Sequence, residues 1–348
     1  TFYFNQENLT LAPETEMEPT DENLLLPAFR YGTSEFLKAI GASKVVIGVS
    51  GGIDSAVNAA LYRSILPAEN ILLVNTPTRY NSELTKGLAA ELAKNLGCQL
   101  LTVPIGDFID ETADALEGLP LPDDTVHLTG FMKENMQARD RSSRILAALS
   151  AAFGGIFTCN ANKTETTVGY GTLYGDLAGA FAATADLWKY QIYDLGRKLN
   201  AWYGRAVIPE GIFTVMPSAE LSENQDVTQG KGDPLIYEYH DYLFRSFIEP
   251  WQRQTPEDIL KAYAKGNLED LIGCSIIVSN IFPTAKDFIE DLEKWWNLFS
   301  GFAVAKRIQT PPLLAVSRRP YGYDLRESQL RPYYTDAYLS LKEKLLAD

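Results

Sequence analysis

Apolar positions recur at helical spacing from Leu24 to Ile40 and stop at Gly41, which predicts an amphipathic helix with a glycine end. The period then changes. Val45, Val46, Ile47 and Val49 form a β-branched run, the mark of a strand buried on both faces. The alternation continues with a helix to about Ile65, a strand over Ile71 to Asn75, a helix over Leu84 to Leu96 closed by Gly97, and a strand over Leu100 to Pro104. Asp107 to Glu117 reads as a helix and Gly118 to Thr129 as a Pro/Asp-rich connection. A long helix from Lys133 to about Phe153 leads into a fourth strand over Gly155 to Cys159. Strands and helices alternating at short intervals predict an α/β fold built on a doubly wound parallel sheet.

A polar, glycine-rich stretch follows, then a helix that starts in Ala185 to Tyr190 and ends near Leu199, then loops through Ile208-Pro209 and Met216 to Leu221. Gln225 to Pro234 reads as a mobile cover. From about residue 235 the pattern is mostly helical: Thr255-Pro256 is an N-cap with proline in the first turn, and Asp287 to Phe299 carries Trp295 and Trp296. Residues 1–22 are acidic and unpatterned, a linker or the tail of a preceding module. The expected organisation is therefore one domain over 23–348 with a helical C-terminal extension.

The chemistry concentrates where the first strand breaks into Ser50-Gly51-Gly52-Ile53-Asp54-Ser55 and a helix begins. Such a turn aims backbone N–H groups and the positive end of a helix dipole at one point, a ready anion site. Gly51 and Gly52 admit a phosphate close to the backbone, and the hydroxyls of Ser50 and Ser55 add donors. Asp54 would repel that phosphate unless a cation lay between them, which points to Mg2+. No GxxxxGK[ST] loop occurs anywhere in the chain. The SGGxDS pattern instead resembles the loop of the ATP pyrophosphatases, which split ATP between the α and β phosphates and adenylate a carboxyl, carbonyl or tRNA base.

Composition narrows the partners. A net charge of −14 argues against nucleic acid, whose phosphates are held by surplus Lys and Arg. No apolar run approaches the ~20 residues of a membrane span. Cys98, Cys159 and Cys274 lack metal-ligand spacing and read as reduced thiols of a cytoplasmic protein. His127 and His240 belong to no motif. In this acidic chain the basic segment Lys306-Arg307 to Arg318-Arg319 reads either as an anion site or as a surface stripe.

Taken in order, SGGIDSA at 50–56, TPTRYNS at 76–82, ENMQARDR at 134–141, NKTETTVGYGTLYGD at 162–176, Lys189, MPSAEL at 216–221 and AKRIQTPP at 305–312 resemble NAD synthetase, specifically the synthetase half of the glutamine-dependent type. The resemblance covers about residues 22 to 332. It implies an adenine nucleotide α-hydrolase-like fold and an ATP- and Mg2+-dependent amidation of deamido-NAD by ammonia through an adenylated carboxyl. It further implies that Gly48, Val49, Ser50, Gly51, Gly52, Ile53, Asp54 and Ser55 hold ATP phosphates and that Asp54 and Glu165 hold Mg2+. Lys189 would neutralise the triphosphate, Asn160, Ser218 and Arg79 would face ATP, and Asn135, Arg139, Glu165, Asp176 and Lys306 would meet deamido-NAD. No side-chain nucleophile is needed, because catalysis is positioning and charge stabilisation.

Three positions depart from the family pattern: Asn160 stands for a threonine, Leu173 for the lysine of the ammonia-only branch, and Met216 for a basic residue. Alternatives are another pyrophosphatase-loop ligase, such as a GMP synthetase domain, or a non-catalytic nucleotide-binding regulator. The family implies a homodimer, with the Trp-bearing helices a candidate contact. Glutamine-dependent members carry a nitrilase-like glutaminase before this domain. Since about forty residues precede the first strand and the chain begins at Thr1, the expectation is a fragment, or a synthetase fed with ammonia from solution or from a glutaminase subunit.

Overall fold

The computed structural model describes residues 24–218, 220–222, 227–321 and 332–347. The linker expected over 1–22, and Gln225 and Asp226 of the expected cover, lie outside those residues. Four parallel strands, β1 (Val45–Gly48), β2 (Ile71–Asn75), β3 (Gln99–Thr102) and β4 (Ile156–Phe157), form one sheet in the order β3-β2-β1-β4. Val45 pairs with Ile71 on one side and Ile156 on the other. The direction of winding therefore reverses between β1 and β4. In an open parallel sheet a crevice forms there, at the carboxyl ends of the strands.

Side chains alternate between the two faces, as strand geometry requires. Val45, Ile47, Ile71 and Leu73 join a core with the helices Leu25–Ala39, Ile53–Arg63, Glu83–Leu96 and Lys189–Tyr203. Val46, Leu72 and Val74 face the other way, onto Leu146 and its neighbours. Both faces are covered, which is why the strand sequences show no polar alternation.

The C-terminal helices Tyr237–Ile248, Pro256–Lys265 and Ala285–Ser300 close around a second core rich in aromatics, among them Tyr239, Phe244, Phe288 and Trp295. Trp295 and Trp296 are buried in that core. Their helix is amphipathic, and the tryptophans lie on its inner face with Phe288, Ile289, Leu292 and Phe299.

Two local features differ from the sequence reading. The long helix expected from Lys133 is interrupted: Gly130–Arg139 is α-helical, Asp140–Leu146 is π-helical, and Ala147–Phe153 is α-helical again. A short helix, Lys163–Val168, replaces the expected turn because Asn162 caps it, its side chain accepting from the Glu165 N–H at 3.0 Å. Another, Glu210–Thr214, lies between the loop segments expected at Ile208-Pro209 and Met216–Leu221.

Candidate active site

The turn after β1 folds back on itself. The Gly52 N–H donates to Ser50 Oγ (3.2 Å), the Ser50 N–H to Ser55 Oγ (3.3 Å), and Ser55 Oγ to the Gly52 carbonyl (3.0 Å). Gly51 has φ +90°, and a Cβ there would lie 2.2 Å from the Thr85 carbonyl oxygen. Only glycine fits this conformation and this approach to the neighbouring helix. Gly52 ends the turn as N-cap of Ile53–Arg63, and Asp54 sits in that helix's first turn.

Beneath the turn is a cluster of charge. Lys189, first residue of its helix and nearly fully buried, places Nζ 2.6 Å from Asp54 Oδ2 and 3.1 Å from Glu165 Oε1. Asn162 Nδ2 donates to Asp54 Oδ1 at 2.9 Å. The Tyr237 hydroxyl donates at 3.0 Å to Glu165 Oε1 and lies 2.9 Å from Asp233 Oδ2, while the Tyr170 hydroxyl donates to Asp233 Oδ1. Asp241 braces the cluster from behind, accepting from the Thr164 hydroxyl and the Tyr190 N–H. The Lys189 N–H in turn donates to Thr164 Oγ1 at 3.1 Å.

Burial raises the Glu165 pKa; Lys189 opposes that shift, and Asp54 and Asp233 add to it. Burial pulls the Lys189 ammonium down, but Asp54, Glu165 and Asp233 together outweigh it and leave its pKa raised. Three carboxylates around one ammonium leave a surplus of negative charge. The two carboxylates expected to hold Mg2+ thus already meet at Lys189, and Glu165 Oε2 takes none of these hydrogen bonds. An excess of negative charge around the two carboxylates fits a hard divalent cation. No compact group of three or more His, Cys, Asp or Glu side chains suited to a metal occurs among the described residues.

This cluster forms the floor of a cavity lined by Gly48, Val49, Ser50, Gly52, Ile53 and Ser55 on one side. Asn160, Asp176 and Ser218 also line it. Asn160 Nδ2 donates to the Gly48 carbonyl at 2.9 Å, tying the ends of β1 and β4 together. Asp176 accepts from the Thr172 N–H at 2.6 Å, and burial raises its pKa.

Asn135, Arg139 and Lys306 do not line the cavity but gather beside it, on the loop 169–176. Asn135 Oδ1 accepts from Thr172 Oγ1 (2.9 Å), Arg139 Nε donates to the Leu173 carbonyl (3.1 Å), and Lys306 Nζ to the Gly169 carbonyl (2.7 Å). The rest of the basic segment disperses into packing. Arg307 is buried against the Thr167 and Phe299 carbonyls, and Arg318 stacks on Trp251.

Arg79 is not brought to the cavity. Its side chain is 66% exposed, ion-paired with Asp110 at 3.1 Å and bonded to Tyr80. The reason is the turn after β2: the Thr78 N–H donates to Asn81 Oδ1 at 2.8 Å, which turns Asn81 inward and leaves Arg79 outside. Residues with no role assigned from sequence line the site instead: Asn81, Thr85, Arg141, Tyr170, Glu220 and Asp233. Glu220 is buried at φ +45° and receives the Ser82 N–H and the Thr85 hydroxyl. A buried non-glycine residue in that conformation beside a cavity is a recognisable mark of a working site.

Residues 30–272 match the NAD synthase family. The chain belongs to that family. Among its NAD synthase relatives, a glutamine-dependent NAD(+) synthetase of Thermotoga maritima is 38% identical over 244 residues, 69% of this chain and 40% of that protein. One from Xylella fastidiosa is 37% identical over 315 residues, 89% of this chain and 51% of that protein. The chain thus spans about half the length, or less, of these curated relatives. The fold is shared with the solved glutamine-dependent NAD(+) synthetase of Cytophaga hutchinsonii, at a TM-score of 0.68 and 17% identity over 93% of this chain and 56% of that one. Among the described residues no helix is long and apolar enough to cross a membrane.

Proposed function

We propose that this chain amidates deamido-NAD to NAD, using ATP to adenylate the free carboxyl and ammonia to displace AMP. The observation that carries the reading is the junction of Asp54, Lys189 and Glu165 at the floor of a cavity whose wall is the SGGxDS turn. A carboxylate oxygen of the substrate attacks the α-phosphorus of ATP, and the bond to pyrophosphate breaks. The turn 50–55 would hold the departing pyrophosphate at a helix N-terminus, its Ser50 and Gly52 N–H groups and Ser55 hydroxyl exchanging their bonds within the turn for phosphate oxygens. Ammonia then attacks the acyl carbon, AMP leaves with the activated oxygen, and the new amide sheds a proton.

Asp54 and Glu165 would hold Mg2+, which neutralises charge on the phosphates when bound. Lys189, held between those carboxylates, keeps its charge and supplies a fixed cation. Asn160 and Ser218 would face ATP, while Asn135, Arg139, Asp176 and Lys306 would take the dinucleotide along the loop 169–176. We place the reaction in the cytoplasm, a reading supported by three free buried cysteines, and expect a homodimer.

The test is pyrophosphate release by the purified chain with ATP, Mg2+ and deamido-NAD. Ammonium salts should support turnover, with a rate that rises with pH because neutral ammonia is the nucleophile, and glutamine should not. Release that depends on XMP and not on deamido-NAD would make it a GMP synthetase-like ligase. Turnover on glutamine equal to that on ammonium would overturn the nitrogen source.

A further inference from the structure

Among the described residues two cationic side chains line the cavity, Lys189 and Arg141. Lys189 is committed to Asp54 and Glu165. Arg141 is not committed to any carboxylate. Its Nη2 makes one long hydrogen bond, 3.3 Å to Asn81 Oδ1, and its Nε is buried with no partner. The acidic groups around it are engaged elsewhere: Asp140 with Arg144, Asp176 with the Thr172 N–H, and Glu220 with Ser82, Thr85 and Asn81. Burial draws the guanidinium's pKa down to about 10, so it stays charged near neutrality.

A half-buried guanidinium that meets no carboxylate, with its Nε buried and unbonded, is costly, because desolvation is not repaid by a partner. The cost is removed when an anion enters. Position says which anion. Arg141 bonds to Asn81, Asn81 and Thr85 share Glu220, and the Thr85 carbonyl touches Gly51 of the phosphate turn. The guanidinium therefore stands on the wall next to that turn, on the Asn81–Thr85 side.

We infer that Arg141 is a phosphate-contacting residue: its planar fork takes phosphate oxygens of the nucleoside triphosphate bound at Ser50–Ser55, giving the site a second cation besides Lys189. Arg139, two residues earlier, is exposed and donates to the Leu173 carbonyl. Two positions apart on a helix face opposite sides, so with Arg139 turned outward Arg141 faces the cavity.

The inference rests on the nucleotide-binding part of the proposed function, and the experiment separates the two. The probe is α,β-methylene-ATP with Mg2+, which binds without turning over. Arg141→Met should weaken its binding by about 10- to 100-fold, the range of a charge-assisted hydrogen bond. Arg141→Lys, which keeps the charge but loses the fork, should fall between. The unliganded Tm of Arg141→Met should not drop, since an unpaired buried charge is removed. Unchanged analogue affinity in Arg141→Met, or a lowered Tm with unchanged affinity, overturns the inference. If Arg141→Met does not fold, Arg141→Lys with wild-type affinity overturns it equally. Arg141-dependent analogue binding without deamido-NAD-dependent pyrophosphate release in wild type would leave Arg141 in place and remove the synthetase reading.

Discussion

At the floor of the cavity the cation is met by opposite charge, with the Lys189 ammonium 2.6 Å from Asp54 and 3.1 Å from Glu165. Around the loop 169–176 and on the adjoining wall, the cations are met by neutral oxygen instead: Lys306 by the Gly169 carbonyl, Arg139 by the Leu173 carbonyl, Arg141 by the Asn81 amide. A carbonyl satisfies a donor without cancelling its charge. The rim thus keeps positive potential in a chain of net charge −14, while the floor keeps a surplus of negative charge. The proposed triphosphate with its metal would answer both at once, the anion at the rim and wall and the cation at the floor.

Neutralising one floor carboxylate attacks the paired side. Asp54→Asn keeps an oxygen to accept from Asn162 but removes the closest partner of Lys189 and one oxygen-donor charge from the proposed metal site. Adenylation should fall by about 10²-fold or more, as when one electrostatic donor is deleted from an active site. Tm should change little. Substrate-dependent pyrophosphate release near the wild-type rate would remove Asp54 from the chemistry.

Asp241 tests the support behind the floor. Burial raises its pKa from the ordinary carboxylate value to about 6, although Thr164 and the Tyr190 N–H favour its ionised form. A carboxyl whose folded pKa is raised binds its proton more tightly in the native state. Its contribution is therefore complete below about pH 4 and is lost as pH rises through about 6. Relative to Asp241→Asn, the wild type should lose up to about 3 kcal/mol between pH 4 and 7. Urea unfolding across that window measures it. Parallel stability curves for the two proteins would show that Asp241 does not titrate as its burial requires.

At the rim, Lys306→Ala should raise KM for deamido-NAD about 10- to 100-fold, the range of one charged hydrogen bond, and leave KM for ATP nearly unchanged. The contrast with Asp54 is the point of the experiment. Equal effects on both substrates would mean that floor and rim do not divide the ligands between them.

Much of this arrangement was legible because it is local. The β-branched runs gave the strands, and the glycines and serines of residues 50–55 gave the turn. Asp54 and Glu165, motif residues on either side of the winding reversal, both reach Lys189. What escaped depends on phase and on distance along the chain. Arg139 and Arg141 share one motif, and which of the two faces the cavity is set by how their helix is rotated against the sheet, a matter of tertiary packing. Tyr170 and Asp233 meet across 63 residues, with no local pattern to announce it. The helix Lys163–Val168, four of whose six residues are β-branched Thr and Val, has poor intrinsic propensity and rests on its Asn162 cap and on tertiary packing.

The smallest effect probes the seam between the two sides. Asn160, which stands where the resemblance implies threonine, receives the Thr158 hydroxyl at 3.1 Å and donates Nδ2 to the Gly48 carbonyl at 2.9 Å. It therefore acts first as a staple between β4 and β1, at the point where winding reverses, and its carboxamide spans a gap that a threonine hydroxyl, one atom nearer the backbone, does not. Asn160→Thr should lower stability by about 0.5–1.5 kcal/mol, one neutral hydrogen bond, while KM for ATP stays close to wild type. Denaturant midpoints and ATP kinetics on the same preparation separate the two quantities. A large loss of ATP affinity at unchanged stability would assign Asn160 to the nucleotide and not to the sheet, and would move it from the seam to the rim.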